Sequence, residues 1–239
     1  MKFYLSSFKF GKEKDQLKLL APKGRIAIIP NALDFRDAND EQTARSLDNK
    51  LERLEQLGLQ PEVVDLKEFF GRQNYLQKLI EEIGAVFVLG GNVFVLRQAM
   101  MLSGLDNILI ELNSDPDFLY SGYSAAGCVL APSLEPYKVV GDATITPYEE
   151  LDEVIWEGLN LVDFAFMPHW QSNHPETEAI NQGIEYCKDH DIKFKAVQDG
   201  DVLIFNSWDA IGTTPPPCGG PANISTMTTS LRESFLLVW

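Results

Sequence analysis

The chain has 239 residues, 45% of them hydrophobic and 23% charged, enough for one large globular domain with a well-buried core. Its 35 acidic against 20 basic side chains give a net charge of −15. No run of Lys and Arg offers phosphates a footprint, so nucleic acid is excluded as an expected partner, and the acidity reads as a solvated surface.

The opening MKFYLSSFKFGKEKD lacks the apolar core of a secretory signal, and no later run approaches membrane-spanning length. No membrane association is expected. Cys128, Cys187 and Cys218 are odd in number and show no ligand-pair spacing. They read as reduced thiols of a cytoplasmic protein rather than disulfides or a zinc site. The sequon at Asn223 therefore carries little weight, and no metal or organic cofactor is implied.

Short β-rich runs alternate with helical patterns. Lys2 to Phe8 reads as a first strand, and Gly24 to Ala32 as a second with the unbroken apolar run of a strand buried on both faces. Asp40 to Leu57 places charges around apolar positions at helical spacing, and Gly58 supplies a stop. QPEVVDL is the next strand and NYLQKLIEEIG the next helix. AVFVLGGN (Ala85 to Asn92) runs from strand into a glycine turn, followed by the helices VFVLRQAMMLSG and LDNILIELN, and FLYSGYSAAG repeats the strand-to-turn pattern.

This alternation predicts an α/β fold, with a mostly parallel sheet between two helical layers. Ligands bind such sheets at the carboxyl ends of the strands, where both glycine turns belong. Farther on, VIWEGLNLVDFAFMPHW reads as strand or hairpin entering a loop, and PETEAINQGIEYCKDH as a helix. KFKAVQDGDVLIFNS reads as two strands joined at Asp199-Gly200, a hairpin signal. The α/β domain is expected to span residues 1–212. Residues 213–239 are expected to be an atypical, loose C-terminal tail whose final residues dock on the domain or on a neighbouring subunit, as in a homodimer.

The chemistry centres on GYSAAG. A serine hydroxyl is a poor nucleophile unless a base takes its proton and donors hold the developing oxyanion. A sharp turn between strand and helix projects the side chain clear of the sheet and aims the first backbone N–H groups of the helix at the substrate. Such a turn needs small neighbours, and Gly122, Ala125, Ala126 and Gly127 around Ser124 supply them. Gly90-Gly91, one strand–helix–strand unit upstream, places a second set of N–H groups towards the same end of the sheet, with Gly91 as the oxyanion donor; otherwise the pair merely permits a tight turn.

Three histidines are present. His190 sits at a polar helix end and reads as a C-terminal cap. His169 follows an apolar strand where a loop begins, and His174 precedes a helix. Asp142 lies between serine and histidine, giving the chain order Ser…Asp…His. The bland alternatives are a hydroxyl in a small-residue turn and a packed histidine beside Trp170.

GGN before an apolar helix, GYSA with LAP shortly after the serine, PH after an apolar strand, H-x-E-T opening a helix, and a DG turn occur in this order over roughly residues 2–210. That order resembles the peptidase E family of serine peptidases, the aspartyl dipeptidases, which share the class I glutamine amidotransferase-like fold. The resemblance implies Ser124 as nucleophile, His169 as general base and Asp142 as the third member, with Glu135, Glu149 and Glu150 as alternatives. It also implies that the N–H groups of Gly91 and Ala125 bind the oxyanion, with Gly90, Asn92, His174 and Glu178 around the substrate.

Three departures bear on activity. Ala126 stands where the family carries a second glycine, and its methyl group disfavours a left-handed backbone and narrows the site. Glu178 stands where the family carries an arginine thought to hold the acidic side chain of an N-terminal aspartate. A carboxylate there favours a neutral or basic residue instead, unless Arg36 or Arg97 substitutes. Finally, His174-Pro175-Glu176 resembles the His-x-Glu pair of glutamine amidotransferases. Those enzymes use a cysteine nucleophile; Cys128 lies one helical turn past Ser124 and points away, but a Ser124–His174–Glu176 arrangement stays open.

The leading expectation is thus a serine hydrolase acting on a short peptide or a small amide. The competing expectations are a non-catalytic amidotransferase-like binding or regulatory protein and an ester hydrolase of α/β-hydrolase type.

Overall fold

The computed structural model describes residues 1–37, 40–151 and 153–207. The tail at 213–239, with Cys218 and Asn223, lies outside them. In chain order the elements are β1 (Lys2–Ser6), α1 (Gln16–Leu20), β2 (Arg25–Ile29), α2 (Glu41–Gln56), β3 (Gln60–Val63), α3 (Gln73–Ile83), β4 (Ala85–Val88), α4 (Val93–Ser103) and α5 (Leu105–Leu112). They continue with β5 (Leu119–Tyr123), α6 (Ala125–Cys128), β6 (Ala165–Met167), α7 (Thr177–Asp189), β7 (Phe194–Ala196) and β8 (Val202–Asn206).

Six strands form one sheet in the order β3-β2-β4-β5-β1-β8. The first five run parallel, and β8 pairs antiparallel with β1 at one edge. At the other edge, β3 carries Pro61 and the charged Glu62, which discourage pairing with a further strand.

Strand periodicity explains the layers. Phe3, Leu5, Ala27, Ile29, Val86, Val88 and Tyr120 point to one face and pack with side chains of α3, α4, α5, α6 and α7. Their neighbours Tyr4, Ile26, Ile28, Phe87 and Leu119 point to the other face and pack with Leu17 of α1 and Leu54 of α2. Successive strand residues face opposite sides, so a strand apolar at every position requires helices on both. The expected three-layer α/β/α fold with a mostly parallel sheet is what forms.

Each helix follows from its residues. Asp40 accepts the Gln42 N–H at the start of α2, and Asn92 accepts from Phe94 and Val95 at the start of α4, filling donors that the first turn leaves orphaned. Gly84 ends α3 in the left-handed conformation. Leu76, Ile80 and Ile83 lie on one face of α3 and are fully buried; such side chains contribute about 1.5–3 kcal/mol each. Helix α4 is apolar nearly all round because it is core on most sides. Among the described residues no single helix is long and apolar enough to cross a membrane.

Two expectations need correction. The strands around Asp199-Gly200 do not form a hairpin. β7 pairs parallel with β6 in a separate two-stranded sheet, while β8 joins β1, so the turn passes the chain from one sheet to the other. The stretch before β6 is irregular apart from a bridge between Ser133 and Glu157. Its Leu159 and Leu161 N–H groups bond to carbonyls of Val129 and Leu130 just after α6, and its apolar side chains enter the core without a ladder.

The glycine at the end of β5 is set by close packing. A Cβ on Gly122 would lie 2.3 Å from the Val88 carbonyl oxygen and 2.5 Å from the Ala126 methyl carbon. Gly122→Ala should therefore lower stability in chemical denaturation by about 1–3 kcal/mol through overpacking; an unchanged midpoint would show that the β4–β5 junction yields.

Candidate active site

β4, β5 and β1 lie side by side and parallel, so their carboxyl ends open on one edge of the sheet. β5 delivers Ser124, β4 delivers Gly90 and Gly91, and β1 runs into Ser6 and Ser7. Ser124 has φ 52 and ψ −112, a conformation costly for a residue with a side chain. It is held by its own N–H on the Ser6 carbonyl, and by its carbonyl, which accepts from Gly127 and Cys128 in α6.

The small neighbours have separate reasons. A Cβ on Gly90 would meet the Tyr123 ring at 2.6 Å, one on Gly91 would meet the Ala32 carbonyl oxygen at 2.2 Å, and one on Gly127 would enter the Phe166 ring at 2.4 Å. Ala126 sits within α6, fully buried among core residues, and its carbonyl accepts the Tyr120 hydroxyl at 2.8 Å. It is not left-handed, and its methyl group fills the core rather than the site. That corrects the expected narrowing.

His169 completes the centre. Its Nε2 lies 3.2 Å from Ser124 Oγ and its Nδ1 lies 2.7 Å from Asp199 Oδ1. A carboxylate can only accept, so Nδ1 carries the proton and the Nε2 lone pair faces the serine. The ring is buried, and its backbone takes φ 60. The His169 N–H donates to Ser7 Oγ at 2.7 Å, and its carbonyl accepts from Thr177 Oγ1 at 3.0 Å. Ser7 Oγ also donates to Asp199 at 2.8 Å, while the Asp199 N–H donates to Ser172 Oγ at 2.8 Å. Burial holds the imidazole pKa below its ordinary value, opposed by the Asp199 hydrogen bond and assisted by His174.

The carboxylate beside His169 is thus Asp199, not Asp142. Asp142 Oδ1 accepts the N–H and hydroxyl of Thr144 at 2.9 and 2.6 Å, and these bonds hold its pKa below the ordinary range. Its backbone carbonyl accepts Asn92 Nδ2 at 2.9 Å. Asp142 therefore closes a local turn. Of the three alternatives, Glu135 reaches Lys138 at 3.6 Å, and Glu149 and Glu150 are exposed.

The cleft above Ser124, about 210 Å³, is lined among others by Phe8, Arg36, Lys50, Gly91, His174 and Glu176. Gly91 is exposed towards it, and among the described residues neither Gly91 nor Ala125 gives its N–H to a backbone carbonyl. Gly91 lines the cleft, whereas Ala125 is buried at the start of α6, directly after Ser124. The His174 ring lies parallel to that of His169 at 3.6 Å, and Phe8 meets both edge-on. His174 Nδ1 accepts the Glu176 N–H at 3.2 Å, so a Ser124–His174–Glu176 relay does not assemble. Burial raises the Glu176 pKa.

Two expected substrate contacts fall elsewhere. Asn92 is buried and spent on capping α4 and holding the loop at Asp142. Glu178 is exposed in the first turn of α7, outside the residues lining the cleft. Arg97 is nearly buried and pairs with Asp106 at 2.9 Å. Arg36 and Lys50 instead bring positive charge to the cleft, and burial, Lys9 and Arg36 lower the Lys50 pKa. Sequence pattern singles out neither Asp199 nor Lys50 beside this cleft: the first carries a turn signal and the second the pattern of a surface helix. Cys128 directs its thiol to the Phe166 carbonyl at 3.5 Å, and burial raises its pKa far above the ordinary thiol value, so it is no competing nucleophile.

Comparison with known proteins agrees with this architecture. An uncharacterized peptidase of Listeria innocua is 25% identical over 158 residues, 66% of this chain and 71% of that protein. An uncharacterized peptidase of Listeria monocytogenes is 30% identical over 132 residues, 55% and 60% of the respective chains.

Among solved structures, one described as a candidate peptidase E from Listeria monocytogenes superposes with TM-score 0.65 at 19% identity, covering 86% of this chain and 98% of that one. A peptidase from an acI-B1 Actinobacterium gives 0.61 at 13% identity, covering 86% and 83%. At these identities the superpositions speak to fold alone. The family model for Peptidase family S51 matches residues 10–211, most of the chain, and on that match the protein belongs to Peptidase family S51.

Proposed function

We propose that the protein is a serine peptidase of the peptidase E type that cleaves short peptides, with Ser124 as nucleophile, His169 as general base and Asp199 as the orienting acid. The observation that carries this reading is the unbroken chain Ser124 Oγ–His169 Nε2 and His169 Nδ1–Asp199 Oδ1, at 3.2 and 2.7 Å. In this mechanism Ser124 Oγ attacks the peptide carbonyl while Nε2 takes its proton. Negative charge develops on the carbonyl oxygen, where the N–H groups of Gly91 and Ala125 receive it. The imidazolium then protonates the leaving amine, and water, activated by the same nitrogen, releases the acyl group.

The departures at Ala126 and Glu178 and an unassigned acid would favour a non-catalytic binder, but this geometry speaks against each. Ala126 faces the core, Glu178 lies outside the cleft lining, and Asp199 supplies the acid. Arg36 and Lys50 support a preference for substrates carrying a carboxylate near the scissile bond, foremost an acidic N-terminal residue. Lys50 Nζ donates to the carbonyl and hydroxyl of Ser46 at 3.1 and 2.6 Å, which holds it at the cleft wall. A half-buried ammonium recovers its lost solvation when a substrate carboxylate arrives.

Three outcomes are expected from hydrolysis of a dipeptide panel varied at its N-terminal residue. First, Ser124→Ala abolishes turnover and Asp199→Asn lowers kcat by about 10³–10⁴-fold, whereas Asp142→Asn leaves it within about 2-fold. Equal losses at Asp142 and Asp199 would refute the acid assignment. Second, the base must be neutral and burial depresses its pKa. The acid limb of kcat/KM therefore falls with a midpoint below 6.5, and a midpoint above that value would contradict the burial argument. Third, Lys50→Ala and Arg36→Ala each raise KM for acidic substrates about 10-fold while sparing neutral ones; a uniform loss across the panel would remove these side chains from selectivity.

A further inference from the structure

Three side chains over Ser124 offer more than a proton relay. His169, His174 and Glu176 each present a ligand atom, and these atoms all lie within 4.8 Å of one another. His169 Nε2 and Glu176 Oε2 are 3.7 Å apart. Around a tetrahedral zinc ion, with nitrogen and oxygen ligands at about 2.0–2.2 Å, neighbouring ligand atoms sit about 3.3 Å apart. The atoms lie near that spacing, but the direction of one ring must also change.

The donor chemistry narrows the ion. Two imidazoles and one carboxylate suit Zn²⁺ and its borderline neighbours, whereas Mg²⁺ and Ca²⁺ seek all-oxygen surroundings. A ligating histidine usually donates its other N–H to a carboxylate, which orients the ring and makes it a better donor. His169 already does so through Asp199 at 2.7 Å, and Asp199 is braced by Ser7 and Ser172. Three protein ligands leave a fourth position open to the cleft, on the side where Ser124 Oγ lies 3.2 Å from Nε2.

One ring must turn. The two imidazoles are parallel to within 6°, so their in-plane lone pairs run side by side and cannot both aim at one ion. His169 is buried and tied at its ring and its backbone. His174 is only partly buried, and its Nδ1 takes a single 3.2 Å hydrogen bond from the Glu176 N–H. Despite its ring contacts with His169 and Phe8, His174 is the less constrained of the two and is the ring that would have to turn, with Glu176, 41% of whose side chain is exposed, following.

We propose that His169, His174 and Glu176 form a binding site for one Zn²⁺ ion, and that occupancy reversibly blocks hydrolysis. The ion takes the Nε2 lone pair that must accept the serine proton, so metal binding and catalysis exclude each other. Binding rests on the ligand set, its spacing and the turn of His174; the inhibitory consequence rests on the serine peptidase reading.

The experiment is equilibrium dialysis of the metal-free full chain against Zn²⁺, with Co²⁺ absorption as a report on geometry. The result expected is one ion per wild-type chain with the visible bands of tetrahedral Co²⁺. Affinity should fall at least 10-fold in His174→Asn and in Glu176→Gln, and persist in Ser124→Ala, which retains all three ligands. Zn²⁺ should also inhibit peptide hydrolysis by the wild type with an inhibition constant equal to the dissociation constant, and a chelator should restore the rate. No binding by the wild type, or binding unchanged in both ligand variants, overturns the site. Binding at this site with hydrolysis unaffected overturns the inhibition. Ligand-dependent binding in a protein that hydrolyses no peptide upholds the site and instead sinks the peptidase reading.

Discussion

Parallel alignment of β4, β5 and β1 is the constraint on which the rest depends. Because these three neighbours run in the same direction, the glycine turn, the serine elbow and the Ser6-Ser7 segment emerge at one edge of the sheet. The close approaches there leave no room for side chains. Gly91 lies against the Ala32 carbonyl and Gly122 against that of Val88. Packing at this edge, more than any single hydrogen bond, presents the Ser124 hydroxyl and the Gly91 N–H to the same cleft. The strained φ of Ser124 is tolerated because its N–H and carbonyl are both engaged.

Around this edge, a second set of contacts controls protonation. Ser7 accepts the His169 backbone N–H and donates to Asp199, so one hydroxyl ties the candidate base and the candidate acid to the end of β1. The burial that locks the imidazole also favours its neutral form, which a general base requires. The Asp199 carboxylate opposes that shift while selecting the tautomer. Burial and the carboxylate therefore act in opposite senses on the pKa but in the same sense on orientation.

The electrostatics of the cleft depart from those of the molecule. A chain of net charge −15 brings Arg36 and Lys50 to the cleft wall, with Glu176 also lining it. Positive charge in such a recess focuses the field locally, where distant surface carboxylates are screened. A lysine from α2 and an arginine from the loop before it can thus define the cleft's charge although Glu178 occupies the corresponding start of α7.

The sequence by itself determined the alternation of strands and helices as far as β5, the two-sided burial of the inner strands among them and the sharp turn at Ser124 with its companion glycine turn. These are local properties: alternation, caps and small residues are legible from near neighbours along the chain. His169 was legible because histidines are few and this one ends an apolar strand. Tertiary structure alone decided which carboxylate meets His169. Asp199-Gly200 carries the signature of a hairpin turn, and only the divergence of β7 to β6 and β8 to β1 places its carboxylate under the imidazole. The same holds for Asn92, a plausible substrate contact in sequence but a helix cap in space, and for Lys50, whose pattern is that of an ordinary surface helix. Which side chains meet across a site depends on how distant strands pair and helices pack, and residue spacing along the chain does not encode that directly.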